Sequence, residues 1–352
     1  MNRGKPQKYR SLAQEILKAA RNEGLHSGGR LPSERTLAER YGCTHLTVRK
    51  ALKLLAGQGH LHTIPGKGSY LGPAGPAASS DRFGFIFPDD EIFYYRIFAE
   101  VERMAASNGL HPVVHLTRGS ARKENDLLTY FEQSGVRALI AVPNRECIEH
   151  YRTLKIPVLL FDVPLQGLDI PQIVSDDYSG AFEAVTRLIQ AGHIRIAHIG
   201  SNYDCTGEQR LKGYLSALEQ AVLPCRRQLI RLNYPSREWG YHAARELFGL
   251  KHPPSAVFCA NDTIAAGVIN FCTDRGITVP GELSVVGFGN TPTAEYLNLN
   301  SVSQNEGKIS AALCSNLHKL LNRIEIPDLT VIPTVYVARK SAATRKKAKT
   351  KK

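Results

Sequence analysis

The chain has 352 residues, of which 43% are hydrophobic and 22% charged, with 45 Lys and Arg against 32 Asp and Glu. That length suits two or three domains with their own cores and excludes a mini-protein held by staples. The composition excludes a disordered chain, and no apolar run reaches the roughly 18 residues that a membrane span needs.

The net charge of +13 sits at the two ends. Residues 1–72 carry 13 basic and 4 acidic side chains, residues 339–352 carry 8 basic and no acidic ones, and the stretch between them is net −4. A basic head on a mildly acidic body predicts a two-part protein whose head suits a polyanion. Seven dispersed cysteines without a Cys-x-x-Cys pair argue against a disulfide framework or a zinc knuckle. The polar, basic N-terminus has no apolar stretch of the secretory kind, so the expected setting is reducing and cytoplasmic.

In chain order, Leu12, Ile16, Leu17 and Ala20 form a helical stripe that ends near Gly24. Ser33 can cap a second helix that carries Leu37, Ala38 and Tyr41, with Glu34 in its first turn and Gly42 at its end. Thr44 can cap a third, in which Val48, Ala51, Leu52 and Leu55 face a core while Arg49, Lys50 and Lys53 face outward. The turn between helices two and three predicts a helix-turn-helix. Residues 59–64 and 69–71 read as two short strands around Pro65-Gly66-Lys67-Gly68, which completes a winged helix-turn-helix over residues 1–72.

Residues 73–81, rich in Pro, Gly, Ala and Ser, read as a linker. From 82 to 338, β-type runs alternate with helical ones. Strands are expected at 83–87, 112–116, 138–142, 158–161, 173–174, 196–199, 256–259 and 284–287, and helices at 95–107, 179–191, 208–221, 238–249 and 262–275. The fold class is therefore α/β, with a small α+β head and a bilobal body of two mostly parallel sheets. No internal repeat is evident. Residues 339–352 are expected to be a disordered basic tail that adds unspecific phosphate attraction or has no role.

The motifs Leu31-Pro32-Ser33-Glu34-Arg35, Thr47-Val48-Arg49-Lys50-Ala51-Leu52 and Pro65-Gly66-Lys67-Gly68-Ser69-Tyr70 resemble the DNA-binding domain of the GntR family of bacterial transcription regulators. One departure is Cys43-Thr44-His45, where that family usually has Val-Ser-Arg. The body, through Asp176-Asp177-Tyr178, Arg210-Leu211-Lys212-Gly213-Tyr214, Cys259-Ala260-Asn261-Asp262 and Val279-Pro280-Gly281-Glu282-Leu283-Ser284, resembles the effector domain of the LacI family, which has the fold of periplasmic sugar-binding proteins. After Gly287-Phe288, Gly289-Asn290 stands where that family commonly carries an effector-contacting aspartate.

The resemblance implies a homodimer on double-stranded operator DNA, reading two half-sites and responding to a small sugar-like effector, either with repression lifted when the effector binds or, as the alternative, with DNA binding enhanced by it. In the head, Arg35 and Arg49 are expected at phosphates or guanine edges and Thr44, His45, Leu46 and Thr47 at bases, with Gly66, Lys67 and Gly68 as a wing approaching a groove. Pockets in α/β bodies lie beyond the carboxyl ends of strands. Arg96 and Asp162 occupy such positions, Tyr94, Tyr95 and Tyr234 are candidate stacking walls, and Asn290 joins them beside Gly289. Arg210 and Asp262 are polar ligand contacts by the resemblance, with a structural ion pair open for Arg210. Asp176 serves either as a ligand contact or as a helix cap.

No nucleophile elbow, His-Glu-x-x-His or Gly-x-Gly-x-x-Gly motif occurs, so no enzyme activity, cofactor, metal or membrane partner is expected. A sugar-binding transport protein, an enzyme on an α/β scaffold and a regulator whose body has lost its ligand are the rival readings.

Overall fold

The computed structural model describes residues 8–22, 25, 29–58, 60–64, 68–71, 81–89, 91–201 and 205–345. Its contacts divide the chain into two units, Met1–Ser80 and Asp81–Lys352. Apart from Asp81, the expected linker lies outside the described residues.

The first unit holds α1 (Lys8–Asn22), α2 (Glu34–Arg40), α3 (His45–Gly57), β1 (Leu61–Ile64) and β2 (Gly68–Leu71). Leu12, Ile16, Leu37, Val48, Leu52 and Leu55 form its core, each buried at helical spacing. Burying such side chains stabilises by roughly 1.5–3 kcal/mol apiece, which is what lets so small a unit hold three helices. Ser33 caps α2 by accepting from the Thr36 amide, and Thr44 caps α3 by accepting from the Thr47 amide. Gly42, at φ +57°, takes the left-handed turn between them. β1 and β2 pair antiparallel from Leu61 with Leu71 to Ile64 with Gly68.

The second unit begins with β3 (Arg82–Phe87), α4 (Ile92–Ala106), β4 (His111–Leu116), α5 (Ala121–Gln133), β5 (Leu139–Ala141), α6 (Ile148–Thr153), β6 (Val158–Phe161) and β7 (Gln172–Ser175). It continues through α7 (Asp177–Gln190), β8 (Ile196–Gly200), α8 (Cys205–Gln220), β9 (Ile230–Leu232), α9 (Arg237–Phe248), β10 (Ala256–Cys259), α10 (Asp262–Arg275), β11 (Ser284–Phe288), α11 (Pro292–Tyr296) and β12 (Asn300–Ser303). It closes with α12 (Glu306–Leu321), β13 (Leu329–Ile332) and β14 (Val335–Val337).

Two six-stranded sheets result, in the orders β13-β7-β6-β5-β3-β4 and β14-β12-β11-β10-β8-β9. All neighbours are parallel except β12 and β14. The two orders match strand for strand, apart from the reversed direction of β14, a structural repeat that the sequence does not display. β6 and β10 are apolar and buried throughout, and β3 is so from Phe83 on, as parallel strands covered by helices on both faces must be. One face of the first sheet packs with α4 and α12 through Phe85, Ile97, Ile309 and Leu313, and the other packs with α5 through Ile86, Leu128 and Phe131.

The expected disordered tail starts too early at 339. Ser341 is 3% exposed, its hydroxyl donates to the Val285 carbonyl at 2.6 Å, and it accepts from the Asn300 amide at 2.7 Å. Arg339 donates to the Leu299 carbonyl at 2.9 Å, so the segment is tied to the second sheet. Three lysines and arginines within 339–345 hid the small side chains Ser341 and Ala342 that dock there. Residues 346–352 lie outside the described residues.

Candidate functional site

Two surfaces bear on function, and each is built by a separate unit. In the head, α3 buries Val48, Ala51, Leu52 and Leu55 and leaves His45, Leu46, Arg49, Lys50 and Lys53 exposed along the opposite face. Leu46 is 62% exposed, a large apolar side chain presented to solvent in the first turn. Thr44 and Thr47 lie beside it, their hydroxyls 2.9 Å apart. Arg35 makes an exposed contact with Glu39 at 3.6 Å, whereas Arg49 is held by Glu34 through its Nε at 3.2 Å and its Nη2 at 3.0 Å. This pair raises the guanidinium pKa further, chiefly through the hydrogen bond from Arg49 to Glu34. Gly68 lies on β2 at φ +113°, while Gly66 and Lys67 lie outside the described residues.

In the body, a cavity of about 900 Å³ is lined from both sheets. Nearly every lining segment follows the carboxyl end of a strand: Asp89 after β3, Thr117 after β4, Asn144 after β5, Asp162 after β6, Ser201 after β8, Tyr234 after β9, Asp262 after β10, Gly289 after β11 and Gln304 after β12. The crevice at strand ends is where open α/β sheets bind ligands.

The structure brings Tyr94, Asp162, Arg210, Tyr234 and Asp262 together in this lining. Tyr94 is buried and donates to Asp162 Oδ2 at 2.8 Å, and burial pushes its phenol well above the usual range. Tyr234 is 64% exposed at the rim. Asp162 itself sits at φ +69°, a left-handed turn at the end of β6.

Arg210 is buried and forked. Its Nε and Nη2 donate to Asp177 Oδ1 at 3.0 and 2.8 Å, its Nη1 donates to the Ala260 carbonyl at 2.7 Å, and its plane lies 3.9 Å over the Phe288 ring. The ion pair left open by the sequence therefore exists. Its partner, Asp177, was not singled out. In Asp176-Asp177 the first carboxylate caps α7 through the Ser179 amide, and the second, one residue on, turns inward to Arg210 and Ser175. Asp262 is 1% exposed and accepts from the Thr291 amide at 2.7 Å, the Thr291 hydroxyl at 3.0 Å and the Ser301 hydroxyl at 2.6 Å. Burial pushes its carboxyl up to about 6 against the lowering by these hydrogen bonds. Its carboxylate is thus a clamp on the loop after β11.

Four expected contacts lie outside the cavity lining. Tyr95 follows Tyr94 on α4, so the helical turn carries it away from the cavity, edge-on to Phe87 and 41% exposed. Arg96 turns to Glu306 at 3.4 Å. Asp176 spends its side chain on the cap of α7, and Asn290 accepts from Arg339 at 2.7 Å.

Glu124 was missed as well. It occupies the apolar stripe of α5 with Leu128 and Phe131, a signal the sequence offers at i, i+4 and i+7. It accepts from the Asn144 amide at 2.8 Å and the Tyr151 hydroxyl at 2.9 Å, and burial raises its pKa. Among the described residues, six carboxylates line the cavity (Asp89, Glu91, Glu124, Glu146, Asp162 and Asp262) against two guanidiniums, Arg145 and Arg210. Arg145 reaches Glu208 across the cleft at 3.9 Å.

Residues 8–71 match the gntR family of bacterial regulatory proteins, and residues 185–342 match the periplasmic binding protein-like domain. Catabolite control protein A of Priestia megaterium is 30% identical over 257 residues, covering 71% of this chain and 77% of that protein. The arabinose metabolism transcriptional repressor of Geobacillus stearothermophilus is 27% identical over 300 residues, covering 80% and 81%. A probable HTH-type transcriptional repressor of Bacillus subtilis, ExuR, is 35% identical over 184 residues, 51% of this chain and 54% of its own length. The chain thus spans about half the length of that relative. Among solved structures, the transcription regulator CcpA of Lactococcus lactis superposes with a TM-score of 0.69 at 22% identity, over 74% of this chain and 98% of that one, which establishes the fold. With a gntR-type head, a periplasmic-binding-protein-like body and this breadth of match to catabolite control protein A, the chain belongs to the LacI/GntR-type family of bacterial transcription regulators.

Proposed function

We propose that the protein is a transcription repressor that binds operator DNA as a homodimer in the cytoplasm and is released by a small, neutral polyhydroxy effector of the sugar class. The observation that carries this reading is the cavity at the strand ends of both sheets, sized for a small molecule and lined by polar side chains around the aromatic rings of Phe93, Tyr94 and Phe288. Hydroxyls find carboxylate acceptors there, and apolar ring faces find aromatic ones. The excess of carboxylates opposes an anionic ligand, because Arg210 is already balanced by Asp177. Relatives are named for arabinose metabolism and for a complex with cellobiose, which supports the sugar class.

Binding in a cleft lined by two lobes favours the closed arrangement by the difference in affinity between states, typically about 1–3 kcal/mol of coupling. The test is a thermal-shift panel of neutral sugars, uronates and sugar phosphates, followed by release of a duplex that the protein enriches from a random-sequence library. A neutral sugar should raise Tm and release the duplex, and Tyr234→Ala should weaken both effects without changing DNA binding. Stabilisation by the anionic compounds alone would overturn the ligand class.

A further inference from the structure

The Glu34–Arg49 pair in the head is unusual in its placement. α2 and α3 are already joined by a core of Leu37, Ala38, Val48 and Leu52, and the pair lies outside it, with 70% of the Arg49 side chain and 38% of the Glu34 side chain exposed. Exposed ion pairs contribute little to stability, so helix packing does not account for it. The geometry does something else. The Nε–Nη2 edge of the guanidinium plane is taken by the Glu34 carboxylate, at 3.2 and 3.0 Å, which fixes the rotation of the plane. Nη1 takes no part in this contact, and Arg49 is exposed on α3 together with His45, Leu46 and Lys50. Glu34 is itself held in place, as the first residue of a helix capped by Ser33, where the partial positive charge of the helix start favours a carboxylate.

We infer that Glu34 is a positioning residue for DNA reading: it holds the Arg49 fork in one orientation and, by its charge, lowers the attraction of the head for DNA of arbitrary sequence. The inference rests on the reading of the head as a DNA reader. An acidic group beside an arginine opposes every phosphate backbone equally, since backbone attraction carries no sequence information. A fixed planar fork gains only where a bidentate acceptor lies in register, as a guanine edge does. Glu34 therefore costs affinity on all DNA and returns it only on the matching sequence, so its effect is on the ratio of the two.

The test uses the full chain, a duplex enriched by the wild-type protein from a random-sequence library, and a scrambled duplex of the same length and base composition. Glu34→Gln keeps the side-chain shape and removes the charge. It should weaken binding to the enriched duplex about tenfold while strengthening binding to the scrambled duplex about two- to threefold, with Tm unchanged. Arg49→Lys, which replaces the fork by a point charge, should lose the enriched duplex similarly without gaining on the scrambled one. A rise on both duplexes with Glu34→Gln would make Glu34 a mere charge mask, a fall on both a structural support, and no change irrelevant, each of which overturns the inference. Failure of the wild-type protein to enrich any duplex would overturn the DNA-reading function together with it.

Discussion

Asp177→Asn tests the inner architecture of the cleft most directly. The substitution leaves Arg210 in place, 8% exposed, with the Ala260 carbonyl and the Phe288 face as neighbours but without the carboxylate that now accepts from both Nε and Nη2. A buried cation that loses its counter-charge keeps its desolvation cost, and such changes typically destabilise by about 3–5 kcal/mol. The unit from Asp81 to Lys352 has roughly 270 residues. At an unfolding entropy of about 2.1 cal/mol/K per residue, each kcal/mol corresponds to just under 2 °C, so Tm of that unit should fall by about 5–9 °C. Arg152→Ala is the control, because its pair with Glu149 is at least half exposed on both sides and should shift Tm by no more than about 2 °C. Calorimetry on both variants decides the matter. A loss of under about 2 °C in Asp177→Asn would mean that Arg210 finds solvent or another acceptor, and the description of a buried, balanced pair would be wrong.

Burial raises the Asp262 carboxyl from 3.8 to about 6, so between about pH 4 and 6 the folded state holds a proton that the unfolded state has released. Stability through this group therefore falls as pH rises across that window, by about 2–3 kcal/mol, and is lowest above it. Asp262→Asn should flatten the Tm–pH curve there, and an unchanged slope would refute the assignment. Gly289 sits at φ +115°, so Gly289→Asp should be strained whatever space its side chain finds, costing about 1–3 kcal/mol in thermal melts; a variant as stable as wild type would remove the strain argument. Ser341→Ala strips a buried partner from the Val285 carbonyl and the Asn300 amide and should cost about 1–3 kcal/mol, whereas a neutral result would show that residues after 338 do not dock.

Much of this fold is legible in the sequence because the parallel strands are apolar runs and the helices carry caps. Val158–Phe161, Ala256–Cys259 and the helix at Asp262–Arg275 have the bounds that the pattern predicts. What the pattern hides has a common cause. β12 reads Asn-Ser-Val-Ser, buried through hydrogen bonds from Ser301 to Asp262 and from Asn300 to Tyr336, and β13 and β14 are edges with exposed apolar residues. α12 carries Ile309, Leu313 and Leu317 at helical spacing, a signal present in the sequence outside the expected helices. In the site, some errors are local. Asp176 was expected where Asp177 turns inward, and of the expected neighbours Tyr94 and Tyr95 the helix geometry brings only Tyr94 to the cavity. Residue type announces a polar cleft, but cap and turn geometry assigns its members.

The sheet orders have a consequence for synthesis. The first sheet is built from residues 82–175 and completed by β13 at 329–332, and α12 at 306–321 covers one of its faces. The second is built from residues between those two stretches and completed by β14 at 335–337. Each lobe is thus assembled from two separate stretches that interleave along the chain. As the chain emerges from its N-terminus, Phe85 and Ile97 remain without the Ile309 and Leu313 that cover them until nearly the last residues are made. The first lobe to begin is therefore among the last to finish, and neither can be cut out as a continuous piece. A nascent or truncated chain ending anywhere before α12 would carry an uncovered apolar sheet face, the kind of surface that chaperones bind and that aggregates when they do not.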